Sequence, residues 1–160
     1  MQAKIVNLES KKIAGYLHKC SHNNNTIPKF WQDVFADGRH TKLHGQDFVK
    51  SHGDYGVCYD EGENLCYLLG LEVKDGADVP GEFEQRDLSA GEYAVWPVKK
   101  MEFMDAWSSL TKWINESAEY NHAPSAESFE LYKCECSNDV MCEACKSDNF
   151  CDVYIKVVKK

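Results

Sequence analysis

Tyr55-Gly56-Val57-Cys58-Tyr59, then Asp60-Glu61-Gly62-Glu63-Asn64, then Leu65-Cys66-Tyr67-Leu68-Leu69-Gly70-Leu71-Glu72-Val73 reads as strand, turn and return strand. Aromatic and branched residues fill both arms, and a charged, glycine-containing break separates them. An antiparallel hairpin therefore sits near the middle of the chain, and the rest is organised outward from it. Upstream, Ile27, Phe30, Trp31, Val34 and Phe35 recur at the spacing of one helical face, with Thr26 placed to cap, Pro28 in the first turn and Gly38 near the end. Residues 4–20 read as extended segments broken at Glu9-Ser10. Residues 39–53 read as a long loop with room for one short turn of helix. Downstream, Asp75 to Gly81 is a linker, Phe83 to Leu88 a weaker strand and Glu92 to Val98 a strong one. Phe103, Trp107, Leu110 and Ile114 mark a second amphipathic helix from about Met101 to Ser117. Residues 120–127 read as loop. Phe129 to Lys133 and Asp152 to Val158 read as the closing strands.

The two halves repeat. Each has a strand, an amphipathic helix carrying tryptophan, a loop and two further strands, over about residues 4–73 and 83–158. Cys58 to Cys66 spans a tight hairpin, whereas the corresponding stretch from Tyr132 to Cys151 is eleven residues longer. That excess is a cysteine-rich insert at about 134–151. Strands outnumber helices and connect by hairpins. The expectation is one α+β domain over 1–160, built from two β-α-β-β modules on a mainly antiparallel, curved sheet with two main helices on one side.

Composition bounds the function. The 160 residues carry 26 acidic against 18 basic side chains, a net charge of −8. Only two arginines, Arg39 and Arg86, are present, so a self-sufficient nucleic-acid surface is not expected. A negative field favours cationic ligands instead. No apolar run approaches the ~20 residues of a membrane helix, and the first residues lack the apolar core of an export signal. A cytoplasmic protein with reduced thiols is expected, although eight cysteines are present and five fall between Cys134 and Cys151. No phosphate-binding glycine loop, nucleophile elbow or HExxH motif occurs.

Taken together and in order, Tyr55-Gly56-Val57-Cys58-Tyr59-Asp60, Gly91-Glu92-Tyr93-Ala94-Val95, Trp113-Ile114 at a helix end, Phe129-Glu130-Leu131-Tyr132 and Val153-Tyr154-Ile155-Lys156-Val157 resemble the GyrI-like small-molecule-binding family. That family includes effector-binding domains of AraC-type and MerR-type regulators. The resemblance implies two modules related by a pseudo-twofold, with a ligand cleft where they meet. The chain departs from the family pattern at His18-Lys19-Cys20 and Lys99-Lys100, where relatives often carry glycine, and in its cysteine insert. Many relatives are fused to a helix-turn-helix. Here both repeats take up the chain, and a stand-alone sensor or binding module is expected.

Within Phe129-Glu130-Leu131-Tyr132, strand periodicity puts Glu130 and Tyr132 on one face. The resemblance implies that Glu130 faces the ligand from an apolar, aromatic cleft. Such a carboxylate either seeks a cation or rises in pKa. Tyr55, Trp96, Phe103, Trp107 and Trp31 are the aromatic candidates beside it, suited to a cation cage. The leading expectation is a non-enzymatic domain for hydrophobic, cationic aromatic compounds. The rivals are a cofactor-independent hydrolase of cyclopropane-type metabolites using Glu130, and a thiol-rich metal or redox protein. No cofactor is expected beyond zinc at Cys134, Cys136, Cys142 and Cys145, weighed against a loop of reduced thiols. Cys20, Cys58 and Cys66 are expected to pack as small apolar groups. The pairs His18/His22 and His40/His44 fall in loop-like sequence, where i and i+4 do not face each other, and are expected to be solvent-exposed.

Overall fold

A computed structural model describes residues 2–99, 102–133 and 150–160. The central hairpin forms as its sequence requires. Strands β3 (Tyr55–Glu61) and β4 (Asn64–Glu72) pair antiparallel and are joined by two residues, of which Gly62 takes φ +60°. A positive φ at the first central residue only is the signature of a type II′ hairpin, and glycine adopts it without steric cost.

The remaining strands are β1 (Lys4–Leu8), β2 (Lys11–Ser21), β5 (Glu84–Leu88), β6 (Gly91–Pro97), β7 (Tyr120–His122), β8 (Ser128–Tyr132) and β9 (Cys151–Lys159). Their order is β1-β6-β9-β8-β3-β4-β2-β5, with β7 paired to β9. This order is symmetric about the β8–β3 seam: β3-β4-β2 on one side mirrors β8-β9-β6 on the other. The leading strands are exchanged, so that β1 pairs with β6 and β5 with β2.

The exchange forces the sheet to curl. β5 and β6 lie toward opposite ends of the strand order yet are joined by only Ser89 and Ala90, and β1 and β2 are likewise joined by Glu9 and Ser10. The result is an antiparallel half-barrel of the α+β class. Its inner face packs Ile13, Tyr55, Val57, Leu68, Leu88, Tyr93 and Phe129 into one cluster drawn from both ends of the sheet.

Three helices cover the outer face. Helix α1 (Ile27–Ala36) buries Phe30 and Val34 against Tyr67 and Leu69. Helix α3 (Phe103–Glu116) buries Ala106, Leu110 and Ile114, an i, i+4, i+8 stripe, against Ala94, Val98, Val153 and Val157. Each such leucine or isoleucine contributes about 1.5–3 kcal/mol by leaving water. Thr26 makes no side-chain cap; its hydroxyl pairs with His18 at 2.7 Å, and Asn25 instead accepts the Ile27 N–H at 3.0 Å.

Of two segments read as loop, one holds the short helix allowed for it and the other is a strand. Residues Arg39–His44 form a third helix, α2, which starts after Gly38 at φ +83° and seats Leu43 fully buried against the β2–β4 face. Residues 120–122, expected as loop, form the short strand β7. Among the described residues no helix is long and apolar enough to cross a membrane. The zinc candidates Cys134, Cys136, Cys142 and Cys145, with most of the insert, lie outside the described residues. On either side of the insert the chain is paired, Tyr132 with Cys151 and the Lys133 N–H donating to the Phe150 carbonyl at 2.7 Å.

Candidate functional site

The seam between the modules carries a buried carboxylate. Glu130 of β8 registers with Gly56 of β3 on one side and with Val153 of β9 on the other. Paired residues share a face, so Glu130 points outward between α1 and α3. It is 9% exposed. Its Oε2 accepts hydrogen bonds from the hydroxyls of Tyr67 at 3.0 Å and Tyr132 at 2.9 Å. The Trp107 indole of α3 lies close by and also favours the ionised carboxylate. Trp31 of α1 donates its Nε1–H to the Tyr67 oxygen at 2.9 Å, which extends the network to the first module. The Trp31 ring lies 5.1 Å from Tyr132, and Phe103 lies 6.0 Å from Tyr132 on the other side.

Electrostatics follow from this geometry. Burial pushes the Glu130 carboxyl above its ordinary range, and the Tyr132 and Tyr67 hydroxyls, with the nearby Trp107 indole, pull it back only in part. Burial and the facing Glu130 carboxylate together push the Tyr67 and Tyr132 hydroxyls far up, so both remain neutral donors. The Cys58 and Cys151 thiols beside Glu130 are raised for the same two reasons and remain protonated, poor nucleophiles and poor metal ligands. Of the other cysteines expected to pack, Cys66 is fully buried while Cys20 and Cys58 are half-buried.

Five of the expected residues thus converge with Glu130 or its network: Tyr132, Trp31, Trp107, Phe103 and Glu130 itself. Two do not touch it. Tyr55 alternates with Gly56 along β3 and therefore faces inward, packed 5.6 Å from Phe129 with its hydroxyl near Lys11. This corrects its assignment to the cleft. Trp96 shares the outward face, since it registers with Val153, but stands two strands from Glu130 against the α3 core.

Tyr67 escaped the sequence reading. It looks like an ordinary core aromatic within a strand, yet it supplies a donor to Glu130. The usable signal was Gly56. A Cβ at that position would lie 2.0 Å from the Tyr67 hydroxyl, so the glycine clears the path by which that hydroxyl reaches the carboxylate.

A shallow depression of about 560 Å³ lies on the outer side of α3, lined by Trp107, Ser108, Thr111, Lys112, Asn115 and Glu116. Trp107 borders both this depression and Glu130.

A second cluster overturns the expectation for the histidines. Because α2 is helical, His40 and His44 share a face, and each directs Nε2 at Asp54, just before β3. The distances to Asp54 are 2.9 Å and 3.1 Å from His40 and 2.9 Å from His44. All three side chains are only 11–12% exposed. Burial pushes the Asp54 carboxyl up, but the two imidazole N–H donors outweigh it and hold the group below its ordinary value. His18 is not free either, as it stacks on Phe30 at 4.7 Å. His22 is exposed, as expected, and pairs with Asp60.

A family model described as "integron-associated effector binding protein" matches residues 4–157. No curated protein matches the chain. Among solved structures, SAV2435 bound to tetraphenylphosphonium superposes with a TM-score of 0.73 at 19% identity, covering 99% of this chain and 94% of that one. A protein from Staphylococcus aureus MU50 gives 0.70 at 17% identity, covering 98% of each chain. The C-terminal domain of EcmrR gives 0.60 at 12% identity, covering 99% and 98%. At these identities the likeness establishes the fold alone, which is GyrI-like. With the family model spanning nearly its whole length, the chain belongs to the integron-associated effector-binding protein family.

Proposed function

We propose that the chain binds hydrophobic, positively charged aromatic compounds over Glu130 and serves to sense or sequester them. The observation that carries this reading is a buried carboxylate whose hydrogen-bonding partners among the described residues are two neutral phenols. Such a group gains most from a cation that brings apolar surface with it. A counter-charge relieves the desolvated anion, while Trp31, Tyr132 and Phe103 offer ring faces to the ligand. Trp107 stands beside Glu130 and also borders the outer depression, so turning this one ring would open a route from that depression to the carboxylate. SAV2435, the neighbour bound to tetraphenylphosphonium, supports a lipophilic cation as the ligand class.

Titration of tryptophan fluorescence with tetraphenylphosphonium tests the reading. Saturable one-to-one quenching is expected, with much weaker quenching by neutral triphenylphosphine oxide. Equal response to both compounds, or none to either, contradicts it.

A further inference from the structure

We propose that His40, His44 and Asp54 form a binding site for a divalent transition ion of the zinc class, with a fourth position open to water. Their ligand atoms all lie within 4.8 Å of one another. A tetrahedral ion with bonds of about 2.0–2.2 Å places neighbouring ligand atoms roughly 3.4 Å apart. The imidazole–carboxylate distances of 2.9–3.1 Å need to widen by only a few tenths of an ångström, with the two bridging protons leaving as the ion enters.

Three further features fit a built site. The two imidazoles come from i and i+4 of one helix, the spacing that brings two histidines to the same ion. Their rings lie 4.2 Å apart, and Phe35 stacks on His40 at 4.2 Å, fixing that ring's plane. The remaining nitrogen of His44, Nδ1, faces Nδ1 of His52 at 2.9 Å. A His44 that ligates through Nε2 carries its hydrogen on Nδ1 and donates it to His52, the outer-shell partner that metal-bound histidines ordinarily have. Two nitrogens and one carboxylate oxygen suit zinc, cobalt or nickel, and disfavour calcium or magnesium, which prefer all-oxygen cages. The site would tie α2 to the start of β3. It would also lie next to the Glu130 network, because the Asp54 carbonyl accepts the Tyr132 N–H at 2.9 Å.

The test uses tag-free, chelator-treated protein with Cys134, Cys136, Cys142 and Cys145 replaced by serine, so that thiolates cannot take the metal. Titration with Co²⁺ is expected to give one equivalent of saturable binding, read as visible d–d bands without a thiolate charge-transfer band. Binding should be lost in His44→Gln and weakened about 10–100-fold in His52→Asn. Undiminished binding in His44→Gln, or no saturable binding in the parent, overturns the proposal. A second readout needs no variant: in the unmodified chain, Zn²⁺ should shift the ring resonances of His40 and His44 and leave those of His22 and His122 in place. Shifts confined to other histidines overturn it equally.

Discussion

Glu130 and Asp54 are buried to the same extent, each 9% exposed, yet their carboxyls move in opposite directions. Desolvation pushes both up. Around Glu130 the donors are phenols, which stay neutral, and the net shift is upward. Around Asp54 the donors are two imidazoles, whose hydrogen bonds first and whose electrostatic attraction second outweigh burial, and the net shift is downward. Burial alone therefore does not decide the state of an acidic group; the strength of its hydrogen bonds and the charges facing it decide with burial. Asp54 is held by two imidazoles within the fold, whereas under the proposed function the counter-charge for Glu130 comes from a ligand.

The isosteric amide substitution should separate the two sites most sharply. In metal-free protein, Asp54→Asn should destabilise by about 1.5–3 kcal/mol, because two charge-assisted hydrogen bonds are weakened and an amide N–H₂ faces an N–H donor. Urea denaturation measures this, and a neutral outcome would mean that the histidines do not carry Asp54. Gly56→Ala attacks the Glu130 network from behind. A methyl 2.0 Å from the Tyr67 hydroxyl must displace it, at about 1–3 kcal/mol of stability and with a change in the near-ultraviolet circular dichroism of the buried aromatics. Tyr67→Phe removes one donor from Glu130 and one acceptor from Trp31 without a clash, and should cost about 1–2 kcal/mol.

The smallest effect on stability should come from Glu130→Gln, and its sign is opposite to that at Asp54. The folded pKa of Glu130 lies above its unfolded value, so its contribution to stability is full below the unfolded carboxylate range and is lost as pH rises through the folded pKa. The variant should therefore be at least as stable as the parent at neutral pH, with the difference vanishing in acid. The groups facing Glu130, namely Tyr67, Tyr132, Cys58 and Cys151, are all raised and do not titrate in that window. Denaturation at several pH values checks this.

Much of this architecture is legible in the sequence for a physical reason. Strand alternation places Glu130 with Tyr132, and the helical spacing of Phe30, Trp31 and Val34 or of Phe103 and Trp107 places those rings beside the seam. What alternation cannot give is the register between distant strands. Tyr55 and Gly56 plainly point opposite ways, but which of them faces Glu130 depends on the β3–β8 pairing, and the large aromatic was the wrong choice. Helix α2 was hidden by its length. Six residues with one buried position, Leu43, show no period, and without the helix His40 and His44 read as scattered loop histidines. Asp54 carries no local mark at all. Its importance arises from α2 folding over it.

Calorimetric titration of the parent and Glu130→Gln with tetraphenylphosphonium and with neutral triphenylphosphine oxide tests the role of Glu130 most directly. The substitution keeps shape and hydrogen bonding but removes the charge. Cation binding should weaken about 10–100-fold, equivalent to about 1.5–3 kcal/mol, while the neutral compound binds the two proteins alike. Parent binding of the cation should also fall as acid protonates Glu130, a dependence absent from the variant. Equal losses for both compounds, or no loss for either, would contradict the assignment of Glu130 as the charge that selects the ligand.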